Sequence, residues 1–400
     1  MLHRARRLVL TVCAAALVLG LASRVSAQTS DDLFNDSVLQ TLQLTVHARD
    51  WESLRANFTS NDFYPAEVTW NGLRARNVGI RSRGLGSRSS VKPGLEINFA
   101  HYSSQGQFLG LRALVLDNLT TDPSMIRERV AMAFFRRFGV PAPREVHAQL
   151  YVNGQYAGLY AIVEPIDAPL VQRTLGESGG ALFEYHWLAP YFATFLGESL
   201  DLYPPLFEAR TQRDRSTFDL YDPIRELLRA INTAPAATFI DAVNPRLDLE
   251  STLRLLAAES FLAEWDGVLG YAGMNNFYLY RMAATQQGQL LPWDADHTFH
   301  GADYPLLAGA QENVLMKRAL EDPALRARYF QLVLDAVSSA SSGDWLLREV
   351  TNEYLQIRDA VLGDPFKPYT NEEFQAAFIE LESFARTRAA FVNQQVQQLR

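Results

Sequence analysis

Two acidic segments, Glu264-Trp265-Asp266-Gly267 and Trp293-Asp294-Ala295-Asp296, flank an aromatic run that begins Asn275-Asn276-Phe277-Tyr278-Leu279-Tyr280. The order Asp, Asn, Asp suits phosphoryl transfer, which needs a carboxylate beside the attacking hydroxyl and an amide with a second carboxylate on a divalent ion. On that pattern Asp266 is the candidate catalytic base, and Asn276 and Asp294 are the candidate ligands of a metal that would meet a nucleotide. Residues 276–280 and 289–294 read as an antiparallel hairpin turned by Gln286-Gln287-Gly288, with Tyr280 opposite Leu290 and Asn276 opposite Asp294. Pro292 lacks a donor and places the second strand at an edge or bulge. Asp266 leaves the end of a helix: Leu249, Leu253, Leu256, Phe261 and Trp265 recur near a period of 3.6, Asp248 stands before them and Gly267 after.

Phosphates would also need a cation. Only three of the 37 basic residues are lysines: Lys92, Lys317 and Lys367. Lys92 opens the alternating stretch Lys92 to Phe99 and follows Arg81-Ser82-Arg83-Gly84-Leu85-Gly86-Ser87-Arg88, a Gly-x-Gly turn between two strands. Backbone N–H groups in such a turn, with an ammonium beside them, can meet phosphates. Glycine hairpins are common, and the arginines 74, 76, 81, 83 and 88 also fit a solvated strand face.

The elements around these residues follow in order. Leu114 to Asn118 is a strand; Asp122 and Pro123 start a helix whose apolar residues Ile126, Val130, Phe134 and Phe138 step by four to a stop at Gly139 and Pro141. Val146 to Val152 and Tyr156 to Val163 form a hairpin at Asn153-Gly154 and run out at Glu164-Pro165-Ile166-Asp167. Residues 322–342 and 371–400 read as amphipathic helices whose phenylalanines are core. The sum is an α+β chain with the element order of a two-lobed kinase: a strand-rich part, residues 28–167, and a mostly helical part, residues 168–400.

These segments resemble the CotH-type atypical protein kinases. The likeness lies in the Arg81-Ser82-Arg83-Gly84 turn with Lys92, the Asp122-Pro123-Ser124-Met125-Ile126-Arg127 helix start, Tyr151-Val152-Asn153-Gly154 to Gly158-Leu159-Tyr160 and Glu164, the Asp266 loop, Asn276 to Tyr280, and Leu291 to Asp294 with Phe299. The resemblance implies a kinase-like fold, ATP with Mg²⁺ or Mn²⁺, and phosphate transfer to serine or threonine hydroxyls of a protein substrate. It implies Asp266 as the catalytic-loop aspartate, Asp294 as the metal aspartate, Asn276 as the asparagine ahead of the aromatic pair and Lys92 as the phosphate lysine. By analogy with kinase layout, Glu128 would pair with Lys92 and Glu164 would meet adenine or ribose. Arg83, on the glycine turn, would contact ATP or, with Arg88, favour acidic sequence around the acceptor; otherwise Glu208 and Asp214 would contact it. Val91-Lys92-Pro93 departs from the double lysine often found in the family, and Asp296-His297-Thr298-Phe299-His300-Gly301 departs from its usual loop after the metal aspartate.

Residues 1–27 read as a secretory signal: Arg4, Arg6 and Arg7 precede the apolar run Leu8 to Ala22, and Val25-Ser26-Ala27 offers a cleavage site. The run is short for a membrane span, so the expectation is a secreted or periplasmic protein with no stable membrane anchor after cleavage, acting on a co-secreted protein. Cleavage removes the single cysteine, Cys13, and four arginines but no acidic residue, moving the formal net charge from −8 to −12. That sign excludes nucleic acid as a general partner. Two other classes fit parts of the pattern. Asp294, Asp296, His297 and His300 could serve a metal-dependent hydrolase, and a noncatalytic protein could keep the kinase scaffold to bind a partner.

Overall fold

The computed structural model describes residues 28–400; the signal expected over 1–27 lies outside the described residues. The chain opens with α1 (Ser30–Leu33), β1 (Gln40–Val46), α2 (Ala48–Ala56), β2 (Tyr64–Trp70), β3 (Leu73–Arg83), β4 (Gly94–Asn98), β5 (Ala113–Asp117), α3 (Arg127–Arg137), β6 (Glu145–Val152) and β7 (Gln155–Val163). The seven strands close a barrel in the order β1-β2-β3-β4-β5-β7-β6. Alternation along each strand sends Leu42, Leu44, Val68, Ile80, Leu95, Ile97, Leu114, Leu116, Leu150 and Ile162 into the barrel's own core. Local alternation announces the strands but not the closure. That depends on the parallel pairing of β1 with β6, which sets Leu42 beside Leu150.

The chain continues through α4 (Ala168–Leu175), β8 (Ala181–Tyr185), β9 (Phe207–Ala209), α5 (Thr217–Thr233), α6 (Phe239–Val243), α7 (Leu249–Leu262), β10 (Phe277–Arg281), β11 (Gly288–Pro292), α8 (Val314–Glu321), α9 (Pro323–Ser341), α10 (Trp345–Leu362) and α11 (Asn371–Leu399). A four-stranded sheet, β11-β10-β8-β9, lies among the helices. One large core joins it to α3 and to the outer face of β7, through Leu159, Ala161 and Val163.

Several expected boundaries shift for local reasons. The helix α3 starts at Arg127 because Met125 takes a left-handed φ of 58°. Asp122 still caps it from a preceding turn, accepting hydrogen bonds from the backbone N–H of Ile126 and Arg127 at 2.9 Å each. The helix α7 is capped by Asp248 as expected, but stops at Leu262 because Ala263, not Gly267, adopts the left-handed conformation. Its end is held from afar: the fully buried Arg388 of α11 donates to the carbonyls of Ser260 and Phe261, and also to those of Ala302 and Tyr304.

A second long tie joins the barrel to the C-terminal helices. The Lys92 ammonium is 2.8 Å from the Asp364 carboxylate, and both side chains are buried. Burial pulls the lysine pKa down while Asp364 pushes it back up. Gly158 opposite has φ +113° and no room for a side chain, since a Cβ there would stand 2.6 Å from the Asp364 oxygens. Removing one partner strands a buried charge, so Lys92→Ala should lower unfolding free energy by about 3–5 kcal/mol. Lys92→Met combined with Asp364→Asn should recover at least half of that loss, as read by urea unfolding; equal losses in the single and double variants would contradict the pairing.

Candidate active site

The hairpin of β10 and β11 delivers two of the candidate residues. Leu279 faces Leu290 and Phe277 faces Pro292, so the register differs by one from the expected one and Asn276 stands opposite Trp293. The Trp293 N–H donates to the Asn276 carbonyl at 2.9 Å. Beyond that last pair both chains turn left-handed, Asn276 at φ 55° and Asp294 at φ 53°, a conformation Asn and Asp tolerate better than other side chains. As Pro292 foretold, β11 is an edge strand.

Asp266 comes from the loop after α7. Two buried glutamates shape that loop: Glu264 accepts from the Asp266 N–H at 2.7 Å and Glu259 from the Val268 N–H at 3.2 Å. Gly267 is required between them, because a Cβ would stand 2.8 Å from Glu264 and 2.9 Å from Glu259. The Asp266 carboxylate then receives the side-chain amides of Asn275 at 3.1 Å and Asn276 at 3.2 Å. Burial raises the Asp266 pKa, while these amides and His297 hold it down.

Asp266, Asn276 and Asp294 line one cleft of about 880 Å³ together with Arg83, the glycine turn 84–86 and Asp117, Asp296 and His297. That volume suits a nucleotide-sized ligand. Arg83 stacks 5.0 Å over the Trp293 ring and makes no hydrogen bond or ion pair among the described residues. Burial and the charge of Asp117 push Asp294 up to about 6, and Arg83 pulls the other way. Burial and Asp294 raise Asp296 well above the usual range, although Thr121 donates to it.

The other expected residues lie elsewhere. Lys92 is not among the cleft-lining residues and does not pair with Glu128, because Asp364 takes its ammonium. Glu128 is buried on α3, where loss of water and the charges of Glu145 and Asp294 drive its pKa far up. Glu164 is buried too, bridging Arg144 and Arg173, and so is spent on structure. Arg88 is largely committed to the carbonyls of Gly84, Phe58 and Ser60. At the rim, Glu184, His186 and Glu208 have ligand atoms within 4.8 Å of one another, but Arg210 and Arg213 already pair with the glutamates.

Sequence reading missed Asp117. It ends a strand in an apolar stretch, with no motif to mark it, yet it lines the cleft, and burial raises its pKa. The donor set fits a hard divalent cation: several half-buried carboxylates and an amide crowd together, with the Arg83 guanidinium among them as compensation.

The architecture is thus a mixed α+β protein with a barrel, a helix-flanked sheet and an acidic cleft. Residues 80–392 match the family model described as CotH kinase protein, and the chain belongs to that family. The inner spore coat protein H of Bacillus subtilis (strain 168) is 29% identical over 352 residues, covering 85% of this chain and 92% of that protein. An inner spore coat protein H-like protein of the same organism is 26% identical over 270 residues, covering 66% and 74%. Among solved structures, the Helicobacter pylori proinflammatory kinase CtkA aligns with TM-score 0.30 at 10% identity, over 76% of this chain and 94% of that one.

The buried acids set a pH dependence. Glu145 and Glu259 are pushed up to about 8, chiefly by burial, from an ordinary 4.5. Between those values the folded state holds protons that the unfolded chain has released, so stability falls as pH rises through this window. The melting temperature of the metal-free protein should therefore drop from about pH 5 to about pH 8, and Mn²⁺ should flatten the slope; a rising profile would contradict the assignment.

Proposed function

We propose that this protein is an extracytoplasmic kinase that transfers the γ-phosphoryl group of ATP to serine or threonine hydroxyls of a protein substrate. The observation that carries the reading is the meeting of Asp266, Asn276, Asp294 and Arg83 in one nucleotide-sized cleft of a chain in a kinase family. In this reading residues 28–167 act as the N-terminal lobe and residues 168–400 as the C-terminal lobe.

Asp266 is the base: it is held by two amides at the cleft, and its raised pKa makes it a better proton acceptor than an ordinary aspartate. It orients the acceptor hydroxyl and takes its proton as the O–P bond forms and the bond to the ADP leaving group breaks. Asp294 and Asn276 would hold Mg²⁺ or Mn²⁺, with Asp117 and Asp296 beside them; the ion neutralises phosphate charge when bound. Arg83 takes the phosphate contact expected of Lys92, whose ammonium is held by Asp364, and the backbone of residues 84–86 roofs the phosphates. The name of the relative places that protein in a spore coat, which agrees with an extracytoplasmic address. Among the described residues no helix is long and apolar enough to cross a membrane.

Purified protein with ATP and Mn²⁺ should incorporate phosphate into itself or a protein acceptor. Asp294→Asn should abolish labelling and weaken Mn²⁺ binding, whereas Asp266→Asn should lose at least about a hundredfold in turnover while keeping nucleotide affinity. Arg83→Ala should weaken ATP binding, and Lys92→Met should spare the affinity of whatever fraction folds. Equal labelling by wild type and Asp294→Asn would remove Asp294 from the mechanism. The withdrawal of Lys92 favours a second reading, a noncatalytic scaffold; calorimetry showing no binding of ATP with Mn²⁺ to folded protein would establish it.

A further inference from the structure

Residues 363–370, between α10 and α11, form a strap that the kinase reading leaves without a role. Pro365 and Pro368 stiffen it. One end grips a short turn of the barrel, residues 117–121, directly, and the other reaches the same turn through Lys92. At one end the Asp364 carboxylate accepts from Lys92 at 2.8 Å and from the Leu159 N–H at 3.0 Å. The Lys92 carbonyl in turn accepts from the Asn118 amide at 2.8 Å, and the same amide donates to the carbonyl of Ser87 beside the glycine turn at 2.8 Å. At the other end the Tyr369 hydroxyl donates to the Thr120 carbonyl at 2.5 Å, and the Thr120 hydroxyl closes the loop on the side-chain amide oxygen of Asn118 at 3.0 Å.

The gripped turn touches the cleft twice. Asp117 lines it directly, and the Thr121 hydroxyl donates to Asp296. Neither Asp364 nor Tyr369 lines the cleft. We propose that the strap is a positioning device: from outside the cleft, Asp364 and Tyr369 fix the turn 117–121 and so set the spacing of the Asp117 and Asp296 carboxylates for a divalent cation. Like-charged carboxylates repel one another, and without this grip the turn relaxes outward and the cation site opens. The proposal rests on the cleft being a divalent-cation site.

Tyr369→Phe removes one hydroxyl and leaves the ring, so the fold should survive. Three quantities decide the matter for the full chain: hydrogen exchange at residues 117–121, Mn²⁺ affinity from the resonance of free Mn²⁺, and melting temperature. Tyr369→Phe should speed exchange in the turn and weaken Mn²⁺ binding about fivefold, the factor carried by one hydrogen bond of ordinary strength, with little change in melting temperature. Thr121→Val should weaken Mn²⁺ binding similarly, and Thr121→Ser should restore it. Unchanged exchange in Tyr369→Phe would overturn the grip. Faster exchange with unchanged Mn²⁺ affinity would overturn the positioning role alone. Wild-type protein that binds no Mn²⁺ would instead overturn the cation reading of the cleft, and with it this role for the strap.

Discussion

Five carboxyl groups, the buried Glu128 and Glu145 and the half-buried Asp117, Asp294 and Asp296, lie within reach of one another's charge, and Arg83 is a cation set among the three that line the cleft. Such an arrangement is unfavourable, because a low-dielectric interior magnifies repulsion and withholds water. The surrounding structure depends on containing it. Protonation relieves part of it, the Leu119 N–H and the Thr121 hydroxyl relieve a further part, and both oxygens of Glu145 have no hydrogen-bond partner among the described residues. Positive charge entering the cleft would relieve the repulsion further.

Containment comes from both halves of the chain. The barrel supplies Asp117 and Arg83 on the strands β5 and β3, and the sheet supplies Asn276 and Asp294 at the open end of one hairpin. The Asp266 loop is shaped from beneath by glutamates that spend their oxygens on backbone N–H groups. Left-handed Asn276 and Asp294 turn both chains at the cleft, and the paired strands behind them hold that uncommon backbone conformation in place.

Local chemistry made much of this legible. Alternation located the strands, Asn153-Gly154 located a hairpin whose two turn residues have φ of 51° and 80°, and the Asp, Asn, Asp order brought together three residues that do share a cleft. What stayed hidden was whatever distant partners decide. Lys92 was read as a phosphate contact because lysine is rare here, but its partner lies 272 residues away. Glu164 looked poised at a junction until Arg144 and Arg173 claimed it. Barrel closure and the part played by Asp117 likewise belong to pairings that no window of sequence contains.

The buried Arg388 carries a consequence for how the molecule comes into being. It supplies donors for the end of α7 across 127 residues of chain and makes no ion pair among the described residues. Until α11 has emerged from the ribosome and docked, the carbonyls of Ser260 and Phe261 must be served by water, and the Asp266 loop that follows them has no fixed base. Contacts of such long sequence separation form late. The Asp266 loop, and with it the cleft it lines, is therefore complete only once the last helix has docked.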